Sequence, residues 1–159
     1  MTDSALKSTS QDSGVQQIVV DEVFHHAPET IWRALTDGAL MARWMMQPTG
    51  FEARVGNRFT FQTTAAGGWD GIIRCEILEV VPNQRLVYAW RGGHAANVGY
   101  GSLLDTTVTF ALTSVGVGTR LKVVHAGFDL PRNETAYTSM SNGWKKVVHN
   151  LGTIAGQQD

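Results

Sequence analysis

Met140, Trp144, Val147, Leu151 and Ile154 recur at spacings of four, three, four and three, which lays one apolar stripe along a helix spanning residues 133 to 154. Tyr137 extends the stripe by a turn, while Ser139, Asn142, Lys145, Lys146, His149 and Asn150 fall on the other faces. Asn133 suits the N-cap of this helix, Glu134 places a negative charge in its first turn, and Pro131 closes the segment before it. A helix with one apolar stripe needs an apolar partner. The chain upstream holds no comparable helix, so the partner is predicted to be a sheet.

The upstream pattern has a period of two. Ile18, Val20 and Phe24 share a face of a first strand over residues 15 to 24, with Glu22 an exception among them. Pro28 then suits a first helical position, and Ile31, Trp32, Ala34 and Leu35 give a short amphipathic helix ending near Thr36-Asp37-Gly38. Leu40, Met41 and Trp44 suggest a second short helix closed before Pro48. From residue 50 onward alternation dominates: Phe59 and Phe61, then Ile73, Cys75 and Ile77, then Leu86, Tyr88 and Trp90, then Val108, Phe110 and Leu112, then Leu121, Val123 and His125. Gly56-Asn57, residues 67 to 71, Pro82-Asn83-Gln84 and residues 116 to 118 supply turn chemistry between them. In a sequential antiparallel meander alternate connections share one end of the sheet, so the loops holding Trp69 and Tyr100 and the segment 127 to 133 should gather at one mouth. The long glycine-rich connection from 91 to 104 belongs to the loop class that commonly carries function.

Composition narrows the picture. Residues 1 to 14 are rich in Ser and Thr and poor in large apolar side chains, which predicts a disordered tail before a single domain over 15 to 156. A formal net charge of -1 removes the long-range attraction on which nucleic-acid or anionic-membrane binding relies. No segment reads as a membrane span or a signal peptide, and the single Cys75 permits no internal disulfide, so the expected setting is the cytoplasm.

Further resemblance lies in Ala27-Pro28-Glu29-Thr30-Ile31-Trp32-Arg33-Ala34-Leu35-Thr36-Asp37, Arg43-Trp44, Arg54-Val55-Gly56, Arg85-Leu86-Val87-Tyr88, Gly118-Thr119-Arg120-Leu121, His125-Ala126-Gly127-Phe128, and Gly143-Trp144 with Leu151. Together these resemble the START-like superfamily (SRPBCC; Bet v 1-like, polyketide cyclase/dehydrase), and within it the homologues of the activator of the ninety-kilodalton heat-shock chaperone ATPase. The resemblance implies an α+β helix-grip fold: a curved antiparallel sheet of about seven strands, two short helices after the first strand, and a long C-terminal helix over an apolar cavity. Two departures stand out. Asn57 occupies the place of a second glycine in the family's Val-Gly-Gly turn, and the terminal helix stops soon after Ile154. Members of this superfamily share a scaffold and differ in what they hold, so the fold alone does not name the function.

Common catalytic signatures are absent: there is no G-x-S-x-G elbow, H-E-x-x-H helix, paired C-x-x-C or Walker loop. His25, His26, His94, His125 and His149 have no chelating spacing, so neither a metal nor another cofactor is expected. His125 faces inward near the mouth and has two readings, a proton-transfer group or a structural histidine bonded to the backbone of the following turn. The expected ligand-binding positions are Phe59, Phe61, Trp69, Ile73, Tyr88, Trp90, Tyr100, Phe110, Val123, His125, Phe128, Tyr137, Met140 and Trp144. Three functions compete: a module that binds a small apolar or aromatic molecule without chemistry, a cyclase-like or hydrolytic cavity enzyme using His125, and a co-chaperone-like protein. A second copy of the chain is compatible with all three.

Overall fold

The computed structural model describes residues 14–157. The expected disordered tail lies outside the described residues except for Gly14, whose carbonyl accepts a hydrogen bond from Leu130 N at 3.1 Å. The elements run β1 (Val15–Phe24), α1 (Pro28–Thr36), α2 (Gly38–Trp44), β2 (Arg58–Gln62), β3 (Ile72–Val81), β4 (Arg85–Gly92), β5 (Leu104–Val115), β6 (Gly118–Asp129) and α3 (Glu134–Gly156).

Period-two alternation does the positioning. The strands form one antiparallel sheet in the order β1-β6-β5-β4-β3-β2, so β2 to β6 are a sequential meander and β1 closes against β6. Each inward set named from the alternation is buried, including Phe59, Phe61, Ile77, Leu86, Tyr88, Val108, Phe110, Leu121 and Val123. Glu22 takes an inward parity on β1, but β1 is an edge strand and its carboxylate reaches out to His149, with Nδ1–Oε2 3.5 Å. Among the described residues the sheet has six strands rather than about seven. Ahead of β2, Thr49 makes a single bridge to Thr60, and Gly50 with φ +80° then turns the chain away before a strand can form.

Alternation also explains one residue that it first seems to break. The register between β1 and β6 shifts at Gln16/Gln17, opposite Phe128 and Ala126, and Gly127 sits in this bulge with φ +109°. The extra residue returns Phe128 to the inward face beside His125, and Phe128 is fully buried.

The short helices follow local chemistry. Pro28 opens α1, and Asp37 ends it and then caps α2, its carboxylate accepting from Ala39 N at 2.9 Å and Leu40 N at 3.3 Å. The long helix α3 lies over the sheet, packed on β1, α1, α2 and β6. Its phase differs slightly from the predicted stripe. Trp144, Val148, Leu151 and Ala155, with Ile154, form the buried line, while Met140 and Val147 sit half-buried at its edge. Lys145, Lys146 and His149 are exposed as expected.

Candidate functional site

The mouth forms as the meander requires. The β2–β3 loop and the β4–β5 loop meet through Asn97, whose side chain donates to Ala66 O at 2.8 Å and accepts from Gly68 N at 3.1 Å. Tyr100 donates its hydroxyl proton to Thr64 O at 2.7 Å, and its ring lies 5.8 Å from that of Trp69. Gly93, with φ +79°, lets the second loop fold back so closely that a side chain there would overlap the Ser102 carbonyl. The segment after β6 joins from the other side. Asn133 does not cap α3 with its side chain, as its position suggested. It is buried, accepts from Asp129 N at 2.9 Å, and donates to Leu103 O at 2.8 Å and Ser102 Oγ at 3.1 Å. An amide with both a donor and an acceptor end can tie two segments, and here it fixes the start of α3 to the loop.

Beneath these loops is an apolar cleft with two lobes. The more enclosed lobe, about 120 Å³, lies among Trp69, Ile73, Trp90, Tyr100, Leu104, Ala136 and Met140. The second, about 240 Å³, continues along α3 between Met45, Met46, Trp144 and Val147 and shares Ile73, Trp90, Ser139 and Met140 with the first. Among the described residues, no Asp, Glu, His, Lys or Arg lines either lobe. Of the fourteen positions expected from the sequence, Trp69, Ile73, Trp90, Tyr100, Met140 and Trp144 line the cleft. Phe59, Phe61, Tyr88, Phe110, Val123, His125, Phe128 and Tyr137 do not. The reason is that the middle of the grip is filled: Phe59, Phe61, Tyr88, Phe110 and Trp144 pack edge to face or tilted, with ring centroids between 5.1 and 5.9 Å apart. Burial pushes the Tyr88 hydroxyl well above its ordinary pKa. Tyr137 packs on Phe128 and points its hydroxyl to Gln17 O at 3.4 Å, at the β1 edge. Met45 and Met46 escaped the sequence reading because they follow α2 without a period. Adjacent methionines just past a helix end are the signal that was there, since flexible thioethers often wall irregular apolar spaces.

His125 is held in a chain of hydrogen bonds whose direction is fixed by its ends. The Trp144 indole is only a donor, so at 2.9 Å its Nε1–H must meet a bare Nδ1 on His125. Thr106 Oγ1 donates its one proton to Trp90 O at 2.8 Å, so at 2.7 Å from His125 Nε2 it accepts. His125 is therefore the neutral Nε2–H tautomer. It is 0% exposed, and burial lowers its pKa to about 3. Both nitrogens are used and neither faces the cleft, so the proton-transfer reading has no geometric basis here. The structural reading is right in kind, but the partners are the side chains of Trp144 and Thr106 instead of the turn's backbone.

Cys75 is buried on the inward face of β3, where desolvation raises its thiol pKa and keeps it protonated. Among the described residues, no three His, Cys, Asp or Glu side chains gather closely enough to hold a metal ion, and no helix is long and apolar enough to cross a membrane.

A sequence model of the family described as activator of Hsp90 ATPase homolog 1-like protein matches residues 25–156, from the end of β1 through α3. The chain belongs to that family. Solved structures agree with the helix-grip architecture and the START-like superfamily. Protein MLL2253 from Mesorhizobium loti is 33% identical, with a TM-score of 0.76 over 91% of this chain and 99% of that one. CalU16 from Micromonospora echinospora is 24% identical, with a TM-score of 0.66 over 89% and 76% of the respective chains. The Aha1 dimer from Colwellia psychrerythraea is 17% identical, with a TM-score of 0.65 over 86% and 93%. No curated protein matches significantly. The cleft described above is thus built on the scaffold of the Hsp90 ATPase activator homologue family.

Proposed function

We propose that this chain is a binding module that holds a small apolar or aromatic molecule in the two-lobed cleft and performs no chemistry on it. One observation carries the reading: among the described residues the cleft is walled by Trp69, Trp90, Met140 and their neighbours without a single carboxylate, imidazole or cationic side chain. A lobe of about 120 Å³ is close to the size of cavity that accepts one benzene-sized ring, and the second lobe gives such a ring room to carry a substituent. Burying roughly 200 Å² of ligand at ~25 cal/mol per Å² contributes about 5 kcal/mol before association costs. Dissociation constants of roughly 0.2 mM or weaker follow for the simplest rings.

Native mass spectrometry of the purified chain tests this reading. The expected result is an adduct of one small molecule per chain that is lost when Ala136→Trp fills the enclosed lobe. An adduct that persists in that variant places the ligand elsewhere and overturns the reading. A cytoplasmic setting fits the protonated, buried thiol of Cys75.

Association with a second copy has its own support in the edge strand β1, where Val15, Val19 and Val23 stand exposed on one face. The Colwellia relative is described as a dimer. Sedimentation of the wild type against Val19→Lys tests it, a dimer that dissociates in the variant being the expected outcome and a monomeric wild type the contrary one.

A further inference from the structure

Methionine is unevenly placed in this chain. Of the four methionines among the described residues, Met41 is 0% exposed in the core, while Met45, Met46 and Met140 are half-buried and line the outer lobe together. Met45 leaves α2 with non-helical backbone (φ −131°, ψ −86°) and Met46 follows it, whereas Met140 comes from α3, so thioethers from two packed helices converge on one space. Leucine would wall an apolar space equally well, but only a thioether can be oxidised. Oxidation follows access. The outer lobe, about 240 Å³, opens to solvent and admits a hydroperoxide, a molecule little larger than water, while Met41 is closed off. Cys75, the other sulfur, is buried and protonated and competes poorly for the oxidant.

The lobe has little to offer a new oxygen. A sulfoxide oxygen only accepts hydrogen bonds. Thr63 already donates its hydroxyl to Gly71 O at 2.6 Å, the Trp144 indole donates to His125 Nδ1, and Trp90 Nε1 is buried out of reach. Among the described side chains on the lining, the Ser139 hydroxyl is left to meet three such oxygens. Water must satisfy the rest, and a wetted wall gains less from an apolar occupant. We propose that Met45, Met46 and Met140 form a methionine-oxidation site, at which a hydroperoxide turns the cleft wall to sulfoxide and releases what the cleft holds. Each sulfur gives up two electrons and takes one oxygen atom as the O–O bond breaks, and hydrogen peroxide leaves as water. Methionine sulfoxide reductases reverse the change. This rests on the reading of the cleft as a binding site, and it adds how that site is regulated.

The test treats the full, folded chain with hydrogen peroxide, maps the oxidised peptides by mass spectrometry, and then titrates 1-indanone, a rigid fused bicycle, as the probe occupant. Trypsin cuts after Arg33, Arg43 and Arg54, which puts Met41 in a different peptide from Met45 and Met46. Met45, Met46 and Met140 should each gain one oxygen while Met41 stays unmodified, and affinity for 1-indanone should fall roughly tenfold or more. In the variant Met45→Leu, Met46→Leu, Met140→Leu, whatever affinity it has should be the same before and after peroxide. Oxidation of Met41 as fast as the other three, undiminished affinity in the fully oxidised wild type, or an equal loss in the leucine variant overturns the proposal. Failure of the untreated wild type to bind 1-indanone overturns the binding reading instead, and the peptide map then decides the oxidation site by itself. The wild-type map and titration suffice if the leucine variant does not fold.

Discussion

Replacing His125 by Gln isolates one buried proton-binding site and puts a number on it. In the folded chain burial holds this imidazole near a pKa of about 3, against an ordinary value of 6.5. Above pH 6.5 both folded and unfolded chains keep it neutral, and it adds no pH dependence. As pH falls below 6.5, the unfolded chain takes up a proton that the folded chain refuses. Stability is therefore lost on acidification at up to ~1.4 kcal/mol per pH unit, and the loss levels off only near pH 3. Between pH 6.5 and 5.0 this amounts to about 2 kcal/mol. Gln cannot titrate, yet its amide oxygen can accept from Trp144 and its N–H can donate to Thr106, as the neutral histidine does. Urea unfolding of both proteins at pH 7, 6 and 5 is the assay. The offset at pH 7 measures the change in packing, and the change of that offset with pH isolates His125, because His25, His26, His94 and His149 are common to both chains. Wild type should lose about 2 kcal/mol more than His125→Gln on going to pH 5. Parallel pH dependences would falsify the argument, since they mean that folded His125 binds its proton normally and is free for the acid–base work denied to it above.

Two glycines of α3 give opposite expectations for the same substitution. Gly143→Ala meets nothing within 4 Å and should stabilise by ~0.5 to 1 kcal/mol, whereas a Cβ on Gly152 would stand 2.5 Å from the buried Phe24 ring and should cost about 1 to 3 kcal/mol in overpacking, outweighing the same helical gain. Thermal melts read both, and a higher melting temperature for Gly152→Ala contradicts the close approach of α3 to β1. Asn97→Ala removes the clasp between the two mouth loops, so amide exchange in residues 63 to 71 and 92 to 104 should quicken while the global unfolding energy changes by less than about 1 kcal/mol. Unchanged exchange in both loops means that Asn97 does not hold them.

Most of the scaffold could be read from the sequence because alternation and helical spacing are local signals that burial enforces. Phe59, Tyr88 and Phe110 were placed inward by parity alone, and the gathering of the Trp69 and Tyr100 loops followed from meander order. The exchange of Val147 for Val148 on the buried line shows the limit of a stripe read at fixed spacing, because the turn between 144 and 151 is decided by what α3 packs against. The site was less legible for a related reason. An inward parity says that a side chain leaves solvent, but it does not say whether neighbours or empty space meet it. Phe61 and Trp90 both point inward from neighbouring regions of the sheet, and only Trp90 reaches the cleft. The roles of Asn133 and His125 depend on partners about 30 and 19 residues away, Ser102 and Leu103 for one and Thr106 and Trp144 for the other, which no local pattern reports.

The central claim is that a small apolar molecule occupies the cleft at the mouth and not the packed middle of the grip, and the methionines are placed to test it. Met140 lines both lobes, Met45 and Met46 line the outer one, and Met41 is buried in the core away from either. With carbon-13 in the methionine methyl groups, titration with 1-indanone should shift the Met140 resonance through the ring current of the bound molecule and move Met45 and Met46 with it. Met41 should stay where it is. A saturating shift at Met41, or no change at Met140 up to the solubility of the probe, contradicts the account.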